Sequence, residues 1–175
     1  LFWKRGYHAT SIQDLVNHLG ISRSSIYDTY GGKKALYNQA LNAYRTSSTA
    51  GVSTFLQNQT NVKTGLRELF FSGIQSSLTD PDNKGCFVIN TTTEMLPGDP
   101  EIQSILEENY NTFEDLFYRF LRLGEKRWEI PEGKDLRTIA GLLFTLYNGM
   151  KVVAKVQTDQ KKLMAEVDAV LALLD

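Results

Sequence analysis

This chain is poor in cysteine, histidine and proline, and each shortage narrows what it can be. Its single cysteine, Cys86, has no partner for an intrachain disulfide and suits a reducing cytoplasm. The only histidines, His8 and His18, fall near the start and form neither a metal-ligand cluster with Cys86 nor a Ser–His–Asp set. No apolar run approaches the roughly 20 residues of a membrane span. The opening Leu1-Phe2-Trp3 lacks the charged leader and long apolar core of a signal peptide. Proline occurs only at 81, 97, 100 and 131, each where a loop is expected, and no segment carries the alternation of a strand. The chain begins without Met, partway into what reads as a helix ending at Gly6, so its first helix is expected to extend beyond the residues given.

What is present is charge of opposite sign at opposite ends. The first 45 residues hold six basic side chains (Lys4, Arg5, Arg23, Lys33, Lys34, Arg45) against Asp14 and Asp28, whereas the remainder holds 13 basic and 18 acidic. The overall −1 therefore hides a basic head on an acidic body, as expected if the head meets phosphate and the body does not.

Thr10 to Leu36 is the most informative stretch. Ile12, Leu15, Val16 and Leu19 recur at helical spacing and give one face to bury. Gly20 ends that helix in a left-handed C′ conformation. Ser22 caps the next, which opens Arg23-Ser24-Ser25 and buries Ile26. Two short helices around a tight turn make a helix-turn-helix, whose second helix can enter a DNA major groove. Thr10 and Ser11, at the start of the first motif helix, are candidate phosphate contacts. Arg23, Ser24 and Ser25 occupy the first turn of the reading helix; Arg23 alone can bond guanine O6 and N7 in bidentate fashion. Tyr27 and Tyr30 have rings to pack and hydroxyls to reach the backbone. Lys33 is a point charge for phosphate, with Lys34 assisting.

The residues Gly6, Thr10, Gly20, Ser22, Tyr27, Tyr30 and Lys33, at these spacings between Gly6 and Leu36, resemble the DNA-binding domain of the TetR/AcrR family of one-component regulators. Tyr30-Gly31-Gly32 departs from the family, which more often has Phe and a less flexible linker there. The resemblance implies an all-α protein: a helix-turn-helix domain over 1–45 and a helical effector-binding and dimerisation domain over 46–175. It implies a ligand-responsive regulator, most often a repressor, that binds a palindromic operator as a homodimer. It implies no cofactor. The alternative is a helical adaptor or ligand carrier that no longer binds DNA.

Beyond the motif, one helix is expected from Lys33 to about Leu56, with breaks at Asp80–Gly85 and Pro97–Pro100 and a loop from Trp128 to Gly133. The last two helices, about 137–157 and 161–174, are the best patterned. Their apolar stripes either pair with a second subunit, as the resemblance implies, or close the monomer's own core. Phe70, Phe87, Tyr110, Phe113, Phe117 and Tyr147, with polar Asn90 and Glu94, are candidates for an apolar effector cavity. Any one of them can instead simply fill the core.

Cys86 opens a helix and follows Lys84-Gly85, a segment resembling one found in a branch of the family. The helix dipole and the lysine would favour a thiolate able to sense oxidants or electrophiles. A small buried apolar residue is the plainer role. An enzyme is not supported: Gly31-Gly32-Lys33-Lys34 echoes a phosphate loop, but that loop needs Gly at 27, where Tyr27 stands.

Overall fold

Capping chemistry sets most of the helix boundaries. Ser11, Ser22, Asn61, Asp99, Asp135 and Asp159 each sit one residue before a helix and accept a backbone N–H from its first turn. The computed structural model describes residues 1–175. It contains α1 (Phe2–Arg5), α2 (Ile12–Leu19), α3 (Arg23–Tyr30), α4 (Lys33–Gln57), α5 (Val62–Thr79), α6 (Phe87–Met95), α7 (Pro100–Lys126), α8 (Leu136–Val153) and α9 (Gln160–Leu171). A 3-10 turn, Ala172–Leu174, closes the chain, and there is no strand. None of the helices is long and apolar enough to cross a membrane.

Two apolar cores hold the helices. The larger joins α4, α5, α7, α8 and α9 around Phe70, Phe117, Leu121, Leu143 and Leu163. The smaller gathers Phe2, Leu15, Ile26, Tyr37 and Leu41 of the first four helices with Phe87, Met95, Ile102 and Leu106 of α6 and α7. Tyr37 lies at its centre, fully buried, with edge-to-face contacts to Phe2, Tyr7 and Phe87 at 5.0–5.4 Å. Its hydroxyl is 2.8 Å from the Thr91 hydroxyl, so a polar tip is satisfied inside an aromatic cluster.

The two C-terminal helices end sooner than their apolar pattern, at Val153 and Leu171. The α9 stripe (Leu163, Val167, Leu171, then Leu174 of the final turn) is buried in the chain's own core, packed chiefly on α5. Exposed large apolar residues on this pair are Leu142, Val152 and Val153 of α8, with Leu173 of the final turn beside them.

Candidate DNA interface and effector cavity

The head presents α3 to solvent because α2 and α3 bury only narrow faces. Leu15 of α2 and Ile26 of α3 reach the core, with Ile12, Val16 and Ile21 packed against it. Ser11 and Asp14 form a reciprocal capping box, Ser11 Oγ accepting the Asp14 N–H at 3.0 Å and Asp14 Oδ2 accepting the Ser11 N–H at 2.8 Å. The Ser11 hydroxyl, which also donates to Asp14 Oδ2, and then the Ser11 N–H hold the Asp14 carboxyl below the ordinary carboxylate range. Ser22 caps α3 through the Ser25 N–H, and its hydroxyl also lies 2.8 Å from those of Ser24 and Ser25.

The expected DNA contacts divide. Arg23 is exposed and pairs with no carboxylate; its guanidinium lies 5.9 Å from the ring centre of exposed Tyr27. Ser24 is exposed, Ser25 half-buried, and Tyr30 half-buried at the end of α3. Lys33 opens α4 with its ammonium 4.2 Å from the Tyr7 ring centre, which aims the charge along the head's surface. Three expectations change. Thr10 is fully buried, and its hydroxyl donates to the Gly6 carbonyl at 2.7 Å, so it cannot reach a phosphate. The Ser11 hydroxyl is taken up within the capping box, leaving only backbone N–H groups there. Lys34 is ion-paired with Asp99 across the head–body boundary and does not assist Lys33.

The glycine pair at 31–32 makes room on this surface. Gly31 ends α3, its N–H donating to Tyr27 O at 2.9 Å. Gly32 is buried at φ +104°, and a Cβ there would fall 3.0 Å from the Tyr27 ring. Glycine thus lets the edge of the Tyr27 ring approach the backbone closely, beside Arg23.

Polar ties fasten head to body at several points. Glu94, on α6, accepts the N–H groups of Tyr7 at 2.9 Å and His8 at 2.7 Å, one per carboxylate oxygen. Gly6 makes room for it: a Cβ would stand 2.6 Å from a Glu94 oxygen. Trp3 donates its indole N–H to Gly85 O at 3.1 Å, and Lys4 donates to Asp82 at 2.6 Å. The Lys34–Asp99 pair is another, and Asp99 also caps α7 through the Ile102 N–H at 3.1 Å. Glu94, expected in a cavity, is therefore a clasp.

Two of the clefts in the body adjoin one another. One, about 670 Å³, lies between α4, α5, α8 and the loop before α6, bordered by Trp3, Tyr44, Ser47, Ser48, Ser72, Gly73, Ser76, Tyr147 and Lys151. The other, about 570 Å³, lies between α6, α7 and α8, bordered by Val88, Thr93, Leu106, Asn109, Tyr110, Phe144 and Asn148. Between them is a throat of about 10 Å³ that shares Tyr44, Ser48, Tyr147 and Lys151 with the first cleft and Val88, Asn109, Phe144 and Asn148 with the second. Cys86 and Phe113 complete its wall.

Of the expected cavity residues, Tyr110, Phe113 and Tyr147 line these spaces. Phe70 and Phe117 are core filling, each edge-on to Tyr147. Phe87 is wedged against Tyr37 and Tyr44, and Asn90 ties the loop by donating to Lys84 O at 2.9 Å. The serines at 47, 48, 72 and 76 belong to no motif, although the small residues Ser47, Ser48 and Gly51 on α4 and Ser72, Gly73, Ser76 and Ser77 on α5 signal helices that leave space between them.

Cys86 is buried, with the Tyr44 hydroxyl 3.7 Å from its sulfur. Burial, then the neighbouring thiol, pushes the Tyr44 hydroxyl well above the ordinary phenol range. The lysine expected to serve the thiol is committed elsewhere: Lys84 pairs with Asp80 at 3.0 Å and Asp82 at 3.2 Å, which raise its pKa; Lys84 holds the Asp80 carboxyl below the usual range, and Lys4, then Lys84, hold that of Asp82.

With this arrangement in view, the likeness to known proteins is specific. A family model described as "Bacterial regulatory proteins, tetR family" matches residues 1–40, and one described as "Tetracyclin repressor-like, C-terminal domain" matches residues 64–170. The uncharacterized HTH-type transcriptional regulator YezE of Bacillus subtilis is 36% identical over 177 residues, spanning 100% of this chain and 91% of that protein. The HTH-type transcriptional repressor ComR of Escherichia coli is 30% identical over 176 residues, spanning 99% and 83%. A cysteine mutant of the TetR-family regulator CifR, solved with a 26-base-pair operator duplex, superimposes with a TM-score of 0.83 at 25% identity, covering 98% of this chain and 90% of that one. The chain belongs to the TetR family of transcriptional regulators.

Proposed function

We propose that this protein is a ligand-released repressor that binds a palindromic operator as a homodimer. The uncommitted guanidinium of Arg23, exposed at the first turn of α3 and steadied by Tyr27, carries the DNA half of this reading. Arg23 reads a base edge, Ser24 and Ser25 support it, and Tyr27, Tyr30 and Lys33 position the head on phosphates. Ser11 itself is used up in the capping box, so only the N–H groups of Ile12 and Gln13 at the start of α2 are left to meet a phosphate. Two heads are joined through the outward faces of α8 and α9, where Leu142, Val152, Val153 and Leu173 are exposed. A head this small gains specificity from two half-sites spaced one helical turn apart.

The effector enters the body at the clefts and acts on the ties that hold the head. Trp3 lines the larger cleft and is bonded to the loop at Gly85, so occupancy there changes how α1 is seated. A ligand favouring a head spacing unlike that of successive major grooves lowers operator affinity. Cys86, in the throat wall, offers a second route: added bulk on its sulfur displaces Tyr44 at the same junction.

Selection of bound sequences from a random DNA pool tests the reading. Recovery of a palindrome supports it; no enrichment over the unselected pool sinks it. A Cys86→Ser variant that still leaves its operator when treated with electrophiles removes the second route alone.

A further inference from the structure

We infer that the effector is a polyhydroxylated anion, a sugar acid or sugar phosphate, seated in the larger cleft between α4, α5 and α8. This rests on the reading of the body as an effector sensor. The cleft carries uncompensated positive charge in the acidic part of the chain. Asp80 and Asp82, at one end of it, are matched by Lys84 and Lys4. Lys151 borders the cleft half-buried and pairs with no carboxylate; its ammonium lies over the Tyr147 ring, 4.1 Å from the centre. Lys155, four residues on, has no carboxylate partner either. Gly85, on the cleft rim, stands at φ +69°, and a Cβ there would fall 2.5 Å from Lys155 Cε, so glycine lets this second lysine lie at the mouth. The smaller cleft is bordered by Glu107 and by no lysine or arginine, which leaves the larger one as the place for an anion.

Free hydroxyls supply the rest of the recognition. Tyr147 is only 8% exposed, and its hydroxyl bonds to no protein group yet is not sealed from the cleft it borders. A phenol held this deep with an open tip is completed by a partner from outside. Ser47 and Ser48 on α4 and Ser72 and Ser76 on α5 border the same space, and none of their hydroxyls is taken up within the protein, whereas Ser77 donates to Gly73 O at 2.9 Å. Each can both donate and accept, as an alcohol requires. At about 670 Å³ the cleft is of ordinary size for a small-molecule site. A fatty chain there would strip water from these hydroxyls and return no hydrogen bond. The occupant therefore places its carboxylate or phosphate on Lys151, with Lys155 at the mouth, and turns its hydroxyls to Tyr147 and the serines.

The test is isothermal calorimetry on the full chain with gluconate, sorbitol 6-phosphate, sorbitol, which lacks the anion, and hexanoate, which lacks the hydroxyls. The parent is expected to bind gluconate or sorbitol 6-phosphate at least about tenfold more tightly than sorbitol and hexanoate, and the tighter of the two identifies the anion. In Lys151→Gln the preference over sorbitol collapses while that over hexanoate remains. In Tyr147→Phe, which keeps the ring and removes only the hydroxyl, the preference over hexanoate narrows while that over sorbitol remains. This crossed pattern is the signature of two separate contacts, and general misfolding does not produce it. Three results overturn the inference: neither anionic polyol binding at millimolar concentration, sorbitol or hexanoate binding within about tenfold of the better one, or variants that change both preferences alike or not at all. Any of these with operator binding intact leaves the regulator reading standing, whereas failure to bind any operator counts against that reading instead.

Discussion

Removing the Glu94 carboxylate should unfasten the head from α6 while leaving the base-reading surface untouched. In Glu94→Ala the N–H groups of Tyr7 and His8 lose acceptors at 2.9 and 2.7 Å. A hydrogen bond to a charged group contributes about 1.5–3 kcal/mol when the freed partner stays dry. Tyr7 is partly buried and keeps most of that range, whereas exposed His8 regains water and loses less than about 1 kcal/mol. The sum is about 2–3 kcal/mol, which for a chain of this size lowers the melting temperature by roughly 4–12 °C. Glu94→Gln should fall between, because its amide offers one acceptor but turns an N–H toward the other donor. Thermal denaturation followed by circular dichroism at fixed protein concentration reads the stability. Fluorescence anisotropy on the selected operator reads the coupling: DNA should still bind, but an effector that releases the parent should release Glu94→Ala less completely. A variant that melts within a degree of the parent and releases DNA as fully refutes the clasp.

Arg23→Ala should cost about 1–3 kcal/mol on the preferred operator and relax base preference at one position per half-site, whereas Lys33→Ala should weaken all sequences alike and reduce the salt slope by about one; binding titrations at several salt concentrations separate the two. If Arg23→Ala binds as the parent does, α3 is not read through that residue. Gly32→Ala should destabilise by about 1–3 kcal/mol, because its backbone sits at φ +104° and the new methyl meets the Tyr27 ring; an unchanged melting temperature contradicts this. Asp99 is held below the ordinary value of 3.8, first by Lys34 and then by the Ile102 N–H, so its contribution is complete above that value and is lost as pH falls through the lower, folded-state value. Asp99→Asn keeps the helix cap but not the ion pair, so it should melt slightly below the parent at pH 7, by about 0.2–1 kcal/mol. That gap should stay level down to about pH 4 and close below it; a gap that widens on acidification is the contrary result.

Features encoded by near neighbours were legible in the sequence. Ser22 with Ser25 is a cap spanning three residues, and the start of α3 follows from it. The apolar stripes likewise located the long helices, since a 3.6-residue period is a local property. Features made by distant pairing were not. Glu94 meets residues 86 and 87 positions away, and nothing local distinguishes a clasp from a cavity ligand. Thr10 looks the same in sequence whether its hydroxyl faces a phosphate or the Gly6 carbonyl; only packing decides. The α9 stripe is equally suited to a subunit interface or to α5, and the fold gives it to α5. Lys34 and Lys33 are adjacent lysines, yet only one meets an aspartate brought in from α7.

The smaller core has a practical consequence for engineering. Because Phe87, Met95, Ile102 and Leu106 belong to it, cutting the chain within α4 to isolate the reading module would leave a greasy wound on both fragments. Chimaeras that graft a foreign reader onto this sensor must transplant those four side chains or recut them to fit, and swapping at the apparent seam near Arg45 alone should yield insoluble protein.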